Sequence, residues 1–266
     1  MEDMGRFRTA VARAAGRQAD PAAVAECREC AERLGVRTVV LVEGRSDQAA
    51  LEALAARHGR DLDAEGSPVV PLGGVTNVGR HLRILGPGGL GLGVAGLYDA
   101  AEHHHVLRGL EQAGLAPGSG CATEEANGKA VEPRTAAPAA SAPAPAASAP
   151  AASVPGALAG AHADQSRAVL ERLGFHVCVA DLEDELIRAL GADAVQAVIA
   201  AQDEWRAFRT FRQQPAQQER TVEQQLHRFM GTHSGRKSRY AHLLVHHLDL
   251  ARTPEPLARL LARTAG

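Results

Sequence analysis

Residues 36–44, Val-Arg-Thr-Val-Val-Leu-Val-Glu-Gly, decide the fold of this chain. An apolar, β-branched run that ends in Glu43 and Gly44 is typical of a buried strand entering a turn. A helix is predicted to follow, with Ser46 as its N-cap and a stop at His58-Gly59. A strand joined to a helix in this way predicts one unit of a parallel α/β sheet.

The same strand–helix unit recurs along the chain. The predicted further strands cover residues 67–72, 92–98 and 175–179. The predicted further helices cover residues 75–85, 102–113 and 165–173. Alternation of this kind predicts a single parallel sheet with right-handed crossovers, flanked by helices.

An Ala/Pro-rich segment interrupts the pattern. Residues 136–155 read AAPAASAPAPAASAPAASVP, which lacks the apolar area needed to offset the entropy of ordering. We therefore expect a disordered insert over 117–163, inside one domain. The predicted organisation is given by five segments: an N-terminal helical segment at 1–34, the first part of an α/β domain at 35–116, the insert, the second part of the domain at 164–190, and a helical C-terminal region at 191–266.

Composition excludes several classes of protein. The 266 residues are 45% hydrophobic, which is enough for a packed core and excludes wholesale disorder. No window approaches the roughly 18 apolar residues of a membrane span, and the N-terminus lacks a secretory signal, so we expect a cytoplasmic protein with no membrane contact. The 29 basic and 31 acidic residues nearly balance, which argues against sequence-blind coating of nucleic acid.

Acidic residues collect where the predicted strands end. They are Glu43 and Asp47 after the first strand, Asp99 and Glu102 after the third, and Asp181, Glu183, Asp184 and Glu185 after the fourth. In parallel sheets, ligands gather at the carboxyl ends of the strands. Carboxylates that converge there repel one another, and they favour hard divalent cations. The pattern predicts a Mg²⁺ or Mn²⁺ site suited to phosphodiester chemistry.

The segment Leu41-Val42-Glu43-Gly44-Arg45-Ser46-Asp47 resembles the first motif of TOPRIM domains. This nucleotidyl transferase/hydrolase fold is shared by topoisomerases, bacterial primases and OLD-family (overcoming lysogenization defect) nucleases. Leu72-Gly73-Gly74 and Asp181-Leu182-Glu183 make the chain most similar to the OLD branch. The resemblance covers residues 35–250 apart from the insert. It implies a TOPRIM-like α/β sheet, dependence on Mg²⁺ or Mn²⁺, and hydrolysis or strand transfer at DNA phosphodiesters.

The resemblance also implies roles for individual residues. Glu43 would be a metal ligand or general acid/base, Asp47 would support the same ion, and Asp99 would open the second acidic motif. Glu183 would match a later acidic ligand, and Lys237 the basic residue that meets the phosphate. The predicted catalytic residues are thus Glu43, Asp99 and Lys237, and the predicted metal ligands are Glu43, Asp47, Asp99, Glu102 and Glu183.

One departure from the family leaves the activity open. The second motif of the family is Asp-x-Asp, whereas this chain has Asp99-Ala100-Ala101-Glu102. Glu102 either reaches the same ion or is only a first-turn helix residue. The alternative to a nuclease is a degenerate TOPRIM module that binds nucleic acid or a protein partner. A third possibility is a small-molecule phosphotransferase or phosphatase.

No G-x-x-x-x-G-K-[ST] motif is present in this sequence. OLD-type nucleases resemble ABC ATPases in their N-terminal half. If this chain needs such a motor, we expect a separate polypeptide to supply the ATPase.

Other patterns have a structural as well as a functional interpretation. We expect Cys27 and Cys30 to be reduced thiols on a helix rather than a metal site. We expect His103-His104-His105 to form a solvated helix start, His242 and His246 to be surface or core histidines, and Trp205, Phe208 and Phe211 to form a buried helix face. An arginine series fits a phosphate track and an ordinary solvated surface equally: Arg206, Arg209, Arg212, Arg220, Arg228, Arg236 and Arg239.

Overall fold

The structure is a computed structural model, which describes residues 2–116 except 17 and 19, and residues 155–265 except 234. Side chains are described throughout these ranges except at 2 and 155–163. Residues 117–154, most of the predicted insert, lie outside the described part.

The described chain contains four strands and thirteen α-helices. The strands are β1 (Thr38–Val42), β2 (Val69–Pro71), β3 (Gly93–Asp99) and β4 (Phe175–Cys178). The first six helices are α1 (Glu2–Ala14), α2 (Pro21–Leu34), α3 (Arg45–Arg57), α4 (Val78–Leu85), α5 (His103–Gln112) and α6 (Pro155–Arg172). The remaining seven are α7 (Leu182–Leu190), α8 (Ala192–Ala201), α9 (Trp205–Arg212), α10 (Pro215–Gln218), α11 (Val222–Met230), α12 (Arg236–His247) and α13 (Glu255–Arg263).

The four strands form one parallel sheet in the order β2-β1-β3-β4. Val40 pairs with Val69 on one side and with Ala95 on the other, and Asp99 pairs with Cys178 across β3 and β4. The predicted parallel α/β sheet flanked by helices is therefore confirmed. The order makes β1, β3 and β4 direct neighbours, so the residues that follow them share one edge.

Alternate residues of β1 enter two different hydrophobic cores. Val40 and Val42 pack into a core with α3, α7, α8, α9, α11, α12 and α13. Val39 and Leu41 pack into a second core with α1, α2, α4, α5 and α6. Side chains of a strand alternate between the two faces of a sheet, so the apolar run of β1 is covered by helices on both sides.

Three local predictions need correction. Ser46 is not the N-cap of α3: Gly44 holds that position, and its backbone N–H donates to Asp47 Oδ2 over 2.9 Å. The predicted helix at 75–85 begins as a 3-10 turn over Val75–Asn77. The helix expected from residue 165 begins at Pro155, inside the predicted insert.

None of the helices in the described ranges is long and apolar enough to cross a membrane.

Candidate metal centre

The carboxyl ends of β1, β3 and β4 bring acidic side chains to one edge of the sheet. Glu43 follows β1 directly, Asp99 is the last residue of β3, and Asp181 is the N-cap of α7 just after β4. Because the three strands are adjacent and parallel, these side chains converge although they are far apart in sequence.

The first cluster consists of Glu43, Asp99 and Glu102. One carboxylate oxygen from each lies within 4.8 Å of the others. Asp99 caps a 3-10 turn formed by Ala100–Glu102. A 3-10 helix completes a turn in three residues, so Glu102 returns to the side of the N-cap residue Asp99. The structure thus brings together the two carboxylates that flank Ala101.

The first cluster is electrostatically costly without a cation. Burial raises the pKa of Asp99 to about 8, with further increases from Glu43, Asp181 and Asp47. Burial, together with Glu43, also raises the pKa of Glu102. Glu102 Oε2 is buried and has no hydrogen-bond partner among the described residues. Carboxyl groups in such an environment are destabilised as anions, and a bound cation would reverse the effect.

The second cluster consists of Asp181, Glu183 and His227, whose ligand atoms also lie within 4.8 Å of one another. Asp181 Oδ1 accepts the backbone N–H of Asp184 over 2.9 Å, and its Oδ2 accepts His227 Nε2–H over 2.5 Å. Burial works to raise the pKa of Asp181, but these two hydrogen bonds outweigh it and hold the pKa below its ordinary value. The bond to Asp181 in turn raises the pKa of His227.

Glu183 is the most deeply buried acid of the site, at 1% exposure. Lys237, in the first turn of α12, places Nζ 3.0 Å from Glu183 Oε2 and forms an ion pair. Neither oxygen of Glu183 accepts a well-aligned hydrogen bond from any residue that the structure describes. Burial raises the pKa of Glu183, and the nearby ammonium of Lys237 only partly counters it.

Asp47 belongs to neither group of ligands, but charges from both clusters act on it. Its Oδ2 accepts the N–H of Gly44, which fixes the turn that follows β1. Burial raises the pKa of Asp47 to about 6; the negative charges of Glu183 and Glu43 raise it further, and the hydrogen bond from Gly44 and the charge of Lys237 oppose the increase. Asp47 therefore positions the loop that carries Glu43, and the same carboxylate links the two clusters electrostatically.

The residues present fit a divalent cation. Half-buried Glu102 and fully buried Glu183 carry buried oxygens without hydrogen-bond partners in the described chain, although Lys237 forms an ion pair with Glu183. Unsatisfied buried carboxylate oxygens are rare because they cost free energy, and metal coordination is one of the few ways to satisfy them. Oxygen ligands of this kind suit Mg²⁺ and Mn²⁺.

The structure places the six predicted site residues along one edge. It brings Glu43, Asp99 and Glu102 into the first cluster and Glu183 into the second, with Lys237 ion-paired to Glu183 and Asp47 in neither cluster. The sequence analysis noted Asp181 as a strand-end acid without assigning it a ligand role, and it missed His227. No local signal marks His227, because 46 residues separate it from Asp181 and only the packing of α11 brings it near.

The remaining histidine and cysteine patterns are resolved by the structure. Cys27 and Cys30 are buried free thiols on α2, as predicted. His242 and His246 are exposed. α5 begins at His103, as predicted, and His104 is exposed, but His103 itself is partly buried and hydrogen-bonds to Tyr98 and to Ser166 Oγ, the latter over 2.8 Å.

The aromatic and arginine residues agree with the sequence predictions only in part. Phe208 is fully buried, whereas Trp205 is 37% exposed and does not complete the predicted buried face. Several arginines of the series have structural partners: Arg212 contacts Gln225, Arg236 and Arg239 contact Glu204, and Arg220 contacts a backbone carbonyl. Within the described ranges, Arg206, Arg209 and Arg228 form no ion pair.

Comparison with known proteins supports the resemblance on which the site was predicted. Residues 36–100 match the family described as "Overcoming lysogenization defect protein-like, TOPRIM domain". This matched segment contains β1, β2 and β3 and the residues of the first motif. No match was found among curated proteins.

Solved structures extend the similarity to most of the chain. The C-terminal region of the Xanthomonas campestris pv. campestris OLD protein is 22% identical, with a TM-score of 0.55 over 86% of this chain and 94% of that one. The C-terminal region of the Burkholderia pseudomallei OLD protein is 19% identical, with a TM-score of 0.55 over 86% and 97%. At this identity the likeness shows the fold, which is that of OLD C-terminal regions. The match to the OLD-like TOPRIM family itself is limited to residues 36–100.

Proposed function

We propose that this protein is a divalent-metal-dependent phosphodiesterase that cleaves DNA. The observation that carries the proposal is the first cluster, in which Glu43, Asp99 and Glu102 converge at the carboxyl edge of the sheet. An OLD-like TOPRIM domain suggests nucleotidyl transferase or nuclease chemistry in general. Among these reactions, the carboxylates at the edge of the sheet favour metal-assisted hydrolysis or strand transfer.

The chain's own residues have distinct tasks in this proposal. Glu43, Asp99 and Glu102 would hold Mg²⁺ or Mn²⁺, which when bound supplies an activated water and Lewis acidity. Asp47 holds the turn that presents Glu43. Lys237, whose side chain is half exposed beside Glu183, would neutralise negative charge that develops on the phosphate.

Glu102 is the reason to favour an enzyme over a degenerate module. The family's second motif places a carboxylate where this chain has Ala101. The 3-10 turn returns Glu102 to Asp99 and Glu43, so a three-carboxylate ligand set is kept despite the alanine. A module that had lost its chemistry would have no need to keep an unsatisfied Glu102 oxygen buried there.

A cationic groove beside the first cluster supports a polyanionic substrate. It has a volume of about 220 Å³ and is lined by Arg80, Arg83, His105 and Arg108, with no carboxylate among its lining residues. Neither Arg83 nor Arg108 forms an ion pair with a described residue. α5 begins directly after Glu102 and carries His105 and Arg108 in its first two turns, so in this proposal a bound phosphate backbone would run from the groove to the first cluster.

The proposal is tested by cleavage of supercoiled plasmid and of single-stranded DNA with Mg²⁺, with Mn²⁺ or with EDTA. Cleavage should require the metal and should be lost in Glu43→Ala. Glu219→Ala removes an exposed acid without an ion-pair partner in the described chain, so this control should retain activity. An additional ATPase polypeptide, with ATP, should be included once a candidate is identified.

The two negative outcomes have different meanings. Absence of cleavage in the purified wild-type protein, with Mn²⁺ binding that still depends on Glu43, would favour the binding module. Cleavage that persists in Glu43→Ala would contradict the proposed site.

A further inference from the structure

A wide cleft lies between α9 and the segment that joins α11 to α12. It has a volume of about 720 Å³, which is within the range of sites that bind a small organic molecule. Among the described residues that line it, only Asp203 is acidic. The cleft shares no lining residue with the cationic groove beside the first cluster, and the proposed metal site does not use it.

One wall of the cleft is formed by one face of α9 and the residue just beyond that helix. Side chains three or four residues apart lie on the same face of a helix, and the residues of this wall are related in this way. They offer a cation, a methyl group, a hydroxyl, an aromatic ring and an amide, in the order Arg206, Ala207, Thr210, Phe211 and Gln214. All are exposed except Phe211, which is half-buried.

The opposite wall presents a guanidinium group over an aromatic ring. The guanidinium carbon of Arg236 lies 4.3 Å from the centroid of the Phe229 ring, which is a cation–π contact. Nη1 of Arg236 donates to Thr232 Oγ1 over 2.5 Å and to the backbone oxygen of Phe229 over 3.3 Å. Nε of Arg236 forms an ion pair with Glu204 at 3.3 Å. The guanidinium plane is therefore held in place before a ligand arrives.

Arg206 differs from Arg236, because it forms no ion pair with any residue that the structure describes. Asp203, three residues earlier, also lines the cleft but is not paired with it. The forked donors of a guanidinium group match the oxygens of a phosphate. Arg206 is therefore available to an anionic group of a ligand.

A nucleotide combines the groups that this cleft would satisfy. Nucleobases stack on aromatic rings and on guanidinium planes, and hydroxyl and amide side chains form hydrogen bonds with their edges. The phosphate of the same nucleotide suits the free guanidinium of Arg206. A base bound in this way has to be unpaired, because in a duplex its faces are stacked and its edge is occupied.

Two helices place the cleft next to the acidic edge. On α11, His227 belongs to the second cluster, and Phe229 lines the cleft. On α12, Lys237 forms an ion pair with the second cluster, and the preceding residue, Arg236, lines the cleft. A strand that crosses the acidic edge can therefore place a neighbouring nucleotide in the cleft.

We propose that the cleft binds an unpaired nucleotide of the DNA strand that is cut at the acidic edge. The base stacks against Phe211 and the guanidinium group of Arg236, and the phosphate pairs with Arg206. The preferred substrate is then single-stranded or locally unpaired DNA. This inference rests on the proposed function for the identity of the strand.

Binding can be measured without cleavage in EDTA, by fluorescence anisotropy of a labelled single strand and of a blunt duplex that contains the same sequence. The wild-type protein should bind the single strand more tightly. Arg206→Gln should weaken this binding about fivefold or more, and it should reduce the slope of log K against log salt by about 0.7, as for the loss of one phosphate contact. Arg209→Gln is the matched control, because Arg209 is exposed on the same helix, forms no ion pair in the described chain and does not line the cleft. Its affinity should stay within about twofold of wild type.

Two uncharged substitutions test the base-binding part of the cleft. Ala207→Leu fills the space beside α9, and Phe211→Leu removes the ring but keeps an apolar side chain. Each should weaken single-strand binding about fivefold or more, and each should leave duplex binding within about twofold of wild type. Ala258→Leu adds the same side chain at an exposed position of α13 and should have no effect. Thermal melting of each variant checks that it is folded.

The inference is overturned if Arg206→Gln and Ala207→Leu bind the single strand as tightly as the wild-type protein, which is the result expected of a cleft for a peptide. It is also overturned if the variants weaken single-strand and duplex binding equally, because the cleft would then not select an unpaired nucleotide. Cleft-dependent binding without cleavage would defeat the proposed function alone. Metal-dependent cleavage with binding that ignores the cleft variants would defeat this inference alone.

Discussion

At the scale of single residues, the acidic edge stores unfavourable electrostatic energy in the metal-free protein. The pKa of Asp99 is raised to about 8 and that of Asp47 to about 6, in both cases chiefly by burial. A carboxyl group whose pKa is higher in the folded than in the unfolded state binds its proton more tightly when folded. Folding stability is therefore greatest below about pH 4 for such a group, and it falls as pH rises through the folded pKa.

We accordingly predict that the metal-free protein loses thermal stability between pH 5 and pH 8. The melting temperature in EDTA should fall over this range, because Asp47 and then Asp99 must ionise in the folded state. Asp99→Asn should flatten the dependence, since the amide carries no charge. Asp164→Asn, at an exposed position of α6, should retain the full dependence.

Saturating Mn²⁺ should raise the melting temperature most at pH 8, where the carboxylates are ready to bind it. If the melting temperature in EDTA fell equally with pH in wild type and in Asp99→Asn, the ionisation of buried Asp99 would not control this stability.

At the scale of elements, the position of Glu102 depends on how closely α5 packs against α4. Gly79 and Gly109 face each other at the crossing of these helices. A Cβ on Gly109 would lie 2.9 Å from Val78 Cγ1 and 3.1 Å from the backbone nitrogen of Gly79. The absence of a side chain there lets the two helices approach. Since α5 begins directly after Glu102, the crossing also positions the first cluster.

We predict that Gly109→Ala destabilises the protein by about 1–3 kcal/mol, because the added methyl overlaps the backbone of α4. Urea denaturation of wild type and variant measures the difference. The affinity for Mn²⁺ should fall as well, since α5 and Glu102 move together.

Gly5→Ala is the matched control, because a Cβ at Gly5 meets nothing within 4 Å. That substitution in α1 should be neutral or stabilising, by up to about 1 kcal/mol. Equal effects at the two glycines would contradict the tight crossing.

The elements themselves were largely predictable, for reasons visible in particular residues. The apolar, β-branched runs of β1 and β4 have few alternatives to a buried strand, and their predicted bounds differ from the structure by one or two residues. The start of α3 was misassigned, because Ser46 is a good N-cap by type, whereas the helix begins after Gly44, whose backbone N–H donates to the side chain of Asp47. The early start of α6 at Pro155 was missed, because the Ala/Pro composition before it gives no helical periodicity.

At the scale of the whole molecule, the site results from strand order. The alternation of strands and helices predicted a parallel sheet. It therefore predicted that Glu43, Asp99 and the acidic residues after β4 would lie at the carboxyl edge of that sheet. The order β2-β1-β3-β4 makes their three strands neighbours. The contribution of the C-terminal helices could not be predicted in the same way. The packing of α11 and α12 against α7 sets the places of His227 and Lys237, and no local pattern encodes those contacts.

The most direct test of this account is crystallography with Mn²⁺, using anomalous scattering to locate the ion. We predict an anomalous peak at about 2–2.5 Å from carboxylate oxygens of Glu43, Asp99 and Glu102. In Glu102→Gln that peak should weaken or disappear at the same concentration of Mn²⁺. The claim that these three carboxylates form the metal site would be contradicted if a crystal saturated with Mn²⁺ showed no peak at this edge. It would also be contradicted if the peak had the same height in Glu102→Gln as in the wild-type protein.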